Sequence, residues 1–416
     1  MATACVLCIG TELTRGEIVN SNASVLADGL TAAGFQVTSI ETVDDDRDRI
    51  INCLRRSSQG HAVLVATGGL GPTTDDITTE CVAAFAELPL ERDAASLEAI
   101  SARFQKLGRH MSDSNKKQAD FPRGATILPN PNGTAPGFSL RLGNALAFFM
   151  PGVPREMGPM FRNSVLPAIA HLVDEHFSQV RLRSFGLPES EVNDRLAGVE
   201  AQFGVIVGYR ASFPTIEVKL LAQAANAESA AARARAAADE VKRRLGDDVV
   251  FGEGDITFAE AIGRELVARG LRLAAAESCT GGLVGQLLTA RSGSSAFFVG
   301  SAVTYANEAK IKLLGVGEEL LAAHGAVSAE VARAMAEGAR RLFAADVTLG
   351  ITGIAGPEGG SDVKPVGLVH YAVTTERGTV DRSFVFPGDR EMIRLRAAYA
   401  ALGLVYQRVR AGDCES

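Results

Sequence analysis

Twice in this chain a short apolar run stops at a cluster of glycines and gives way to a helical pattern. Residues 62–67 run into Gly68-Gly69-Leu70-Gly71-Pro72-Thr73-Thr74-Asp75-Asp76. Residues 272–276 run into Glu277-Ser278-Cys279-Thr280-Gly281-Gly282. A buried strand, a glycine turn and a helix make one crossover unit, and such units build mostly parallel sheets covered by helices. The rhythm continues on both sides. In the first part strands are expected at 4–9, 35–42, 62–67, 125–128 and 145–149. Helices are expected at 22–33 (Val25, Leu26 and Leu30 on one face), 47–57 and 157–171. In the last part the strands are 272–276, 297–305, 347–351, 367–374 and 383–386, with helices at 258–269, 281–290, 329–342 and 391–409. Between them the pattern changes to half-exposed strands, 179–185 and 215–223, and an Ala-rich helix over 228–245. The expected fold class is therefore α/β, as two three-layer α/β domains with mostly parallel sheets, 1–170 and 254–416, joined by a small α+β module over 171–253. A length of 416 residues suits two or three domains.

Charge narrows the partners. The net charge is −7, with 17 basic and 18 acidic residues in 255–416 and 25 against 31 before it. Neither part offers the basic stripe that phosphate backbones require, so nucleic acid is not an expected partner. No apolar run approaches the ~20 residues of a membrane span, and the first apolar stretch has no basic residues before it, so it reads as a strand rather than a signal peptide. The expected location is cytoplasmic. The six cysteines, at 5, 8, 53, 81, 279 and 414, form no disulfide framework. Cys5 and Cys8 fall in one strand, where residues three apart face opposite ways, and read as small buried hydrophobes.

The first glycine cluster carries chemistry. Three glycines in four residues let successive N–H groups turn toward one point, a nest for an anion, and the next helix adds its N-terminal dipole. One Asp suffices to cap that helix. A second carboxylate beside a bound phosphate would repel it unless a divalent cation lay between them. Glu12, at the end of the first strand, would face the same crevice, and the loops Asn132–Gly137 and 151–154 also follow strands.

In the second cluster Ser278 sits at a strand-to-helix elbow, where it is either an N-cap or an exposed nucleophile whose following N–H groups form an oxyanion hole. A second elbow, Thr352-Gly353-Ile354-Ala355-Gly356-Pro357, follows another strand and favours a binding crevice. The segment's two histidines, His324 and His370, belong to no triad motif. Lys310 and Tyr305 remain as candidate bases, and Cys279 as a rival nucleophile without a His partner.

These motifs also carry a resemblance that spans the chain. It resembles the CinA family of competence/damage-inducible proteins. GTELTRGEIVNSN, GGLGPTTDD, NKKQADFP, NGTAPGF and PGVPREM are similar to MoaB/MogA-like molybdopterin-binding domains. FGLPES fits the family's KH-like linking module. ESCTGG, TYANEAK, GAVSAEVARAMA, TGIAGPEGG, KPVG and PGDREMIR resemble the nicotinamide-nucleotide amidase PncC. The resemblance implies that the last domain deamidates nicotinamide mononucleotide with no cofactor, with Ser278 as nucleophile and Tyr305 and Lys310 catalytic. It implies Thr280, Gly281, Gly282, Thr352, Gly353, Gly356, Arg390 and Arg394 around the substrate. For the first domain it implies ADP-ribose hydrolysis at the pyrophosphate with Mg, Mn or Co. Asp75, Asp76 and Glu12 would hold the metal, and Gly68, Gly69, Gly71, Thr73, Asn20, Gly133 and Thr134 the nucleotide. Residue 11 is Thr where many relatives have Asp, which removes one possible ligand. MoaB-like relatives bind pterins without hydrolysis, so a binding or regulatory role for the first domain stays open. A homodimer is implied by the resemblance alone.

Overall fold

The structure is a computed structural model that describes residues 2–173 and 176–412; Cys414 lies outside them. By its contacts the chain forms two compact units, Met1–Gln179 with Leu221–Arg235, and Val180–Leu220 with Ala236–Ser416. No helix among the described residues is long and apolar enough to cross a membrane.

The first unit is built on a six-stranded sheet ordered Gln36–Val43, Thr3–Ile9, Val63–Thr67, Ala145–Met150, Gly137–Leu142, Thr126–Leu128. The first four strands are parallel and the last two antiparallel. Strand alternation sorts the core into two faces. Cys5, Leu7 and Ile9 pack with Ile50 and Leu54 of Arg47–Gly60 and Val82 of Thr78–Phe85. Ala4, Val6 and Cys8 pack with Leu26 and Leu30 of Ser21–Ala32 and with Met157 and Phe161. Cys5 and Cys8 are thus buried hydrophobes on opposite faces.

Two expectations need correction here, and one strand was not foreseen. Val25 does not share the buried face of Leu26 and Leu30; it is exposed. The helix expected over 157–171 is Pro154–Met160, a π turn Phe161–Val165 and Leu166–Ile169. Pro159 and Pro167 lack the N–H groups that an uninterrupted α ladder needs. The strand Gly137–Leu142 was missed although Phe138, Leu140 and Leu142 alternate with Ser139 and Arg141, because it follows directly on the Gly/Pro/Asn loop over 132–137.

In the second unit, a five-stranded sheet runs Phe298–Val303, Leu273–Glu277, Val347–Gly353, Leu368–Thr375, Gly378–Val385. Three parallel strands again end in an antiparallel edge, here a hairpin that begins earlier than the strand expected at 383–386. Phe258–Ala268 and Arg390–Arg410 cover one face, and Asn307–Leu314 and Ala329–Phe343 the other. The module between the α/β domains carries a four-stranded sheet with neighbours Val205–Ser212, Thr215–Ala224, His176–Phe185 and Val250–Glu253. Two of these strands had no recognisable sequence pattern.

Candidate active sites

In the first unit the Gly68 elbow leaves the C-terminal end of Val63–Thr67. Gly68 and Gly69 both have positive φ, +109° and +67°, and a Cβ on Gly68 would lie 2.0 Å from the Ile9 carbonyl oxygen. Only glycine fits there. The Gly68 N–H is bonded to Met150. Those of Gly69, Leu70 and Gly71 meet no acceptor among the described residues, so the nest has open donors. It lines a cavity of ≈ 530 Å³ with Glu12, Asp45, Asp75, Asp76, Thr134 and Glu156.

The aspartates are arranged unusually. The Thr73 hydroxyl lies within bonding reach of both Asp75 Oδ1 and Asp76 Oδ2, and the Thr73 N–H donates to Asp76 Oδ2 at 2.9 Å. One hydroxyl carries one hydrogen, so two carboxylate oxygens gather on a donor that can serve one of them. The Thr73 hydroxyl holds the Asp75 carboxyl below the usual carboxylate range. Lys117 donates to the Thr73 and Asp76 carbonyls and ties the loop down. This all-oxygen donor set fits a hard divalent cation that takes its other ligands from phosphate and water. Glu12 faces the same cavity from the one-turn helix Thr11–Thr14. However, no three His, Cys, Asp or Glu among the described residues form a ready ligand group.

Asn20 is placed differently from expectation. It caps Ser21–Ala32, accepting from the Ala23 N–H at 3.1 Å, and donates to Thr42. Gly133 stands behind Glu156 and faces the neighbouring cavity. Sequence reasoning missed Asp45 and Glu156. Asp45 Oδ2 accepts from the Thr11 N–H and hydroxyl, both at 2.8 Å, so a carboxylate stands beside residue 11 although that residue is Thr.

In the second unit Ser278 leaves the end of Leu273–Glu277 and is 8% exposed. Lys310 reaches it from Asn307–Leu314, 3.1 Å from Nζ to Oγ. Lys310 is 1% exposed, and burial lowers its pKa from the usual 10.5. Its Nζ also donates to the carbonyls of Thr304, 2.9 Å, and Tyr305, 3.2 Å. As an ammonium it donates one hydrogen to each of the three oxygens; once deprotonated, its two hydrogens stay on the carbonyls and its lone pair faces the Ser278 hydroxyl. Cys279 is no competitor, since burial pushes its thiol up to about 12.

The amides after Ser278 are largely committed. Glu277, fully buried, accepts the N–H groups of Gly282, Val284 and Gly285 and the hydroxyls of Thr280 and Ser301 at 2.7–3.0 Å. The N–H of Gly281 goes to the Ser278 carbonyl. Among the described residues only Cys279 and Thr280, of the six residues 279–282, 284 and 285, keep an amide without an oxygen acceptor. The expected oxyanion donors thus shrink to those two, and the Thr280 side chain serves Glu277 rather than a substrate. Glu277, which organises the elbow, had no sequence signal beyond ending a buried strand.

Around this pair, Arg394 donates to the Thr280 carbonyl at 2.7 Å. Arg390 donates to the Gly356 carbonyl at 2.7 Å and to the Tyr305 phenol oxygen at 3.1 Å. The two elbows and both arginines are therefore brought together. The Tyr305 ring is 62% exposed, and it is the residue's carbonyl, not its phenol, that meets Lys310. The Thr352 hydroxyl is buried and spent on the Ala326 carbonyl at 2.8 Å. Gly353 closes its strand against the Leu368 carbonyl.

Comparison with known proteins matches three family models along the chain. Residues 5–171 match the probable molybdopterin binding domain, 179–252 the damage-inducible protein CinA KH domain and 255–409 the CinA C-terminal domain. A CinA-like protein of Anaeromyxobacter sp. strain K is 44% identical over 96% of this chain and 98% of its own length. One from Geobacter sulfurreducens is 43% identical over 97% and 98%. The chain belongs to the CinA-like protein family. A crystal structure of a competence/damage-inducible protein from Agrobacterium tumefaciens is 40% identical over 36% of this chain and 96% of its own, with a TM-score of 0.35. A MoaB structure from a Thermus species is 21% identical over 41% and 94%, with a TM-score of 0.28.

Proposed function

We propose that the second unit is an amidohydrolase that converts nicotinamide mononucleotide to nicotinate mononucleotide and ammonia. The observation that carries this reading is the buried Lys310 amine, 3.1 Å from the Ser278 hydroxyl, with a pKa that burial lowers. Lys310 takes the Ser278 proton as Oγ attacks the amide carbon. The oxyanion forms toward the Cys279 and Thr280 amides. The C–N bond then breaks, and Lys310 returns the proton to the departing nitrogen, which leaves as ammonia. Water, deprotonated by the same amine, attacks the acyl ester; its hydroxyl stays on the product carboxyl and its proton returns to Ser278. Arg390 and Arg394 supply positive charge for the substrate phosphate.

The first unit is read as a divalent-cation-dependent ADP-ribose pyrophosphatase. Asp75 and Asp76 would hold the cation, and the Gly69–Gly71 amides the phosphate. When bound, the cation would neutralise phosphate charge and activate water. The incomplete ligand group supports a second reading, in which this unit binds a nucleotide or pterin without turnover. A cation-scanned assay of the full chain with both nucleotides, read by mass spectrometry, tests these readings. Ammonia release without added metal and cation-dependent AMP release are expected. Tight ADP-ribose binding with no AMP under any cation would select the second reading.

A further inference from the structure

The helix Arg390–Arg410 of the second unit has two working faces. Its N-terminal end brings Arg390 and Arg394 to the two elbows. At about 3.6 residues per turn, Ile393, Ala397, Ala401 and Val405 continue the face of these arginines. All four are buried in the core of the five-stranded sheet. Arg396, Tyr399, Gly403 and Arg410 form a second stripe on the other side. Each of them meets a residue of the α+β module that belongs to the same compact unit. The Arg396 guanidinium lies over the Phe213 ring, 5.2 Å from its centroid. The Tyr399 ring is 6.4 Å from that of Phe185. A Cβ on Gly403 would sit 2.7 Å from the same Phe185 ring, so glycine lets Phe185 close on the helix. Arg410 donates to the Asp247 carbonyl at 2.9 Å.

The first contact of this stripe reaches toward the amide-hydrolysing pair. Phe213 is half exposed, at the turn between the neighbouring strands Val205–Ser212 and Thr215–Ala224. Arg396 Nη1 donates to the Pro387 carbonyl at 2.5 Å, and Asp389 caps the helix through the Met392 N–H at 2.9 Å. The turn over 387–389 is thus held from behind by Arg396. Arg390 follows it directly, bonded to the Gly356 carbonyl and the Tyr305 phenol. The Arg396 Nε is buried and meets no acceptor among the described residues. One carbonyl and one ring face therefore fix the guanidinium, and the ring face is what the module supplies.

We infer that Phe213 is a positioning residue for the amidase site: by seating Arg396 it fixes the 387–389 turn and so aims Arg390 at the substrate phosphate. The inference rests on the amidase reading and adds a role for the module, which sets substrate affinity from outside the elbows.

In the full chain, Phe213→Ala should raise KM for nicotinamide mononucleotide about fivefold with kcat unchanged. Arg396→Met, which loses both contacts of the guanidinium, should do the same. Phe213→Tyr keeps an aromatic face and should restore the wild-type KM. The selective readout is the phosphate. On nicotinamide riboside, the same molecule without its phosphate, wild type and Phe213→Ala should have equal kcat/KM. An unchanged KM in Phe213→Ala, an equal loss on both substrates, or a Phe213→Tyr as weak as Phe213→Ala would overturn the inference. Ammonia release by wild type keeps the amidase reading standing in each of those cases. If wild type releases no ammonia, that reading falls and calorimetric Kd values decide the inference. Weaker binding of the mononucleotide but not of the riboside by Phe213→Ala sustains it, and no such difference overturns it.

Discussion

The Gly68 and Ser278 elbows begin alike, each at the C-terminal end of a parallel strand with left-handed glycines in the turn. They differ in what the turn's N–H groups bind. At Gly68 three amides meet no acceptor among the described residues, and the carboxylates stand around an accessible cavity. At Ser278 a buried carboxylate, Glu277, consumes the amides of Gly282, Val284 and Gly285. An elbow with open amides is a receptor for an external anion. One that carries its own anion is rigid, and its reactivity narrows to one hydroxyl, one amine and two amides.

The comparison breaks most visibly at Ser278. Ser278→Ala should cut ammonia release from nicotinamide mononucleotide by about 10⁴-fold or more, while ADP-ribose turnover stays unchanged. Residual deamidation near wild type would remove the nucleophile assignment. Lys310→Met should slow turnover by about 10³-fold and flatten the pH profile. Because burial lowers the Lys310 pKa, wild-type kcat/KM should rise with pH through a midpoint below 10.5. The same shift has a stability consequence. Between the folded and unfolded pKa values the unfolded chain binds the extra proton, so this group's contribution makes stability rise with pH. That contribution is fully recovered only above the unfolded value. Subtracting the pH–stability curve of Lys310→Met from that of wild type isolates it, and a flat difference would refute the lowered pKa.

At the open elbow the loss should be smaller. Asp75→Ala with Asp76→Ala should reduce AMP release about 10²-fold, and excess Mg²⁺ should restore part of it by mass action. Equal turnover with chelator present would dissociate this site from a cation. Glu277→Gln sharpens the contrast from the other side. It puts an NH₂ where backbone N–H groups now donate, and should destabilise the second unit by about 2–3 kcal/mol. Calorimetry of the full chain should show that loss without a change in ADP-ribose binding.

The α/β rhythm was legible because strands at 4–9 and 62–67 are near-continuous apolar runs that end at glycine. Gly137–Leu142 and Val205–Ser212 were not: the first alternates Phe138, Leu140 and Leu142 with Ser139 and Arg141 but follows directly on a Gly/Pro/Asn loop, and the second is half-exposed with Gly208 inside it. The sites follow the same logic. Ser278, Asp75 and Asp76 lie in short motifs, so local sequence revealed them. Asp45, Glu156 and Glu277 act through partners up to 34 residues away in sequence or through a cavity wall, as Thr11 does for Asp45, and spacing carries no such information. The sequence left Lys310 and Tyr305 as candidate bases and the resemblance named both, while the reason Lys310 can be a base, burial against two carbonyls, belongs to tertiary structure alone.

Tyr305 is where resemblance and geometry part most, and its expected effect is the smallest. Motif position makes it catalytic. In the fold its phenol is exposed and bonded to Arg390, which in turn holds the Gly356 carbonyl. Under the proposed amidase reading, a phenol so placed would orient Arg390 for the substrate phosphate, with the proton transfers left to Lys310. Removing one such hydrogen bond is worth about 1 kcal/mol, roughly fivefold in binding. Tyr305→Phe should therefore raise KM for nicotinamide mononucleotide about fivefold with kcat nearly constant. A hundredfold slower turnover with KM unchanged would instead place the phenol at the reacting atoms, and would mean that the ring turns inward when substrate binds.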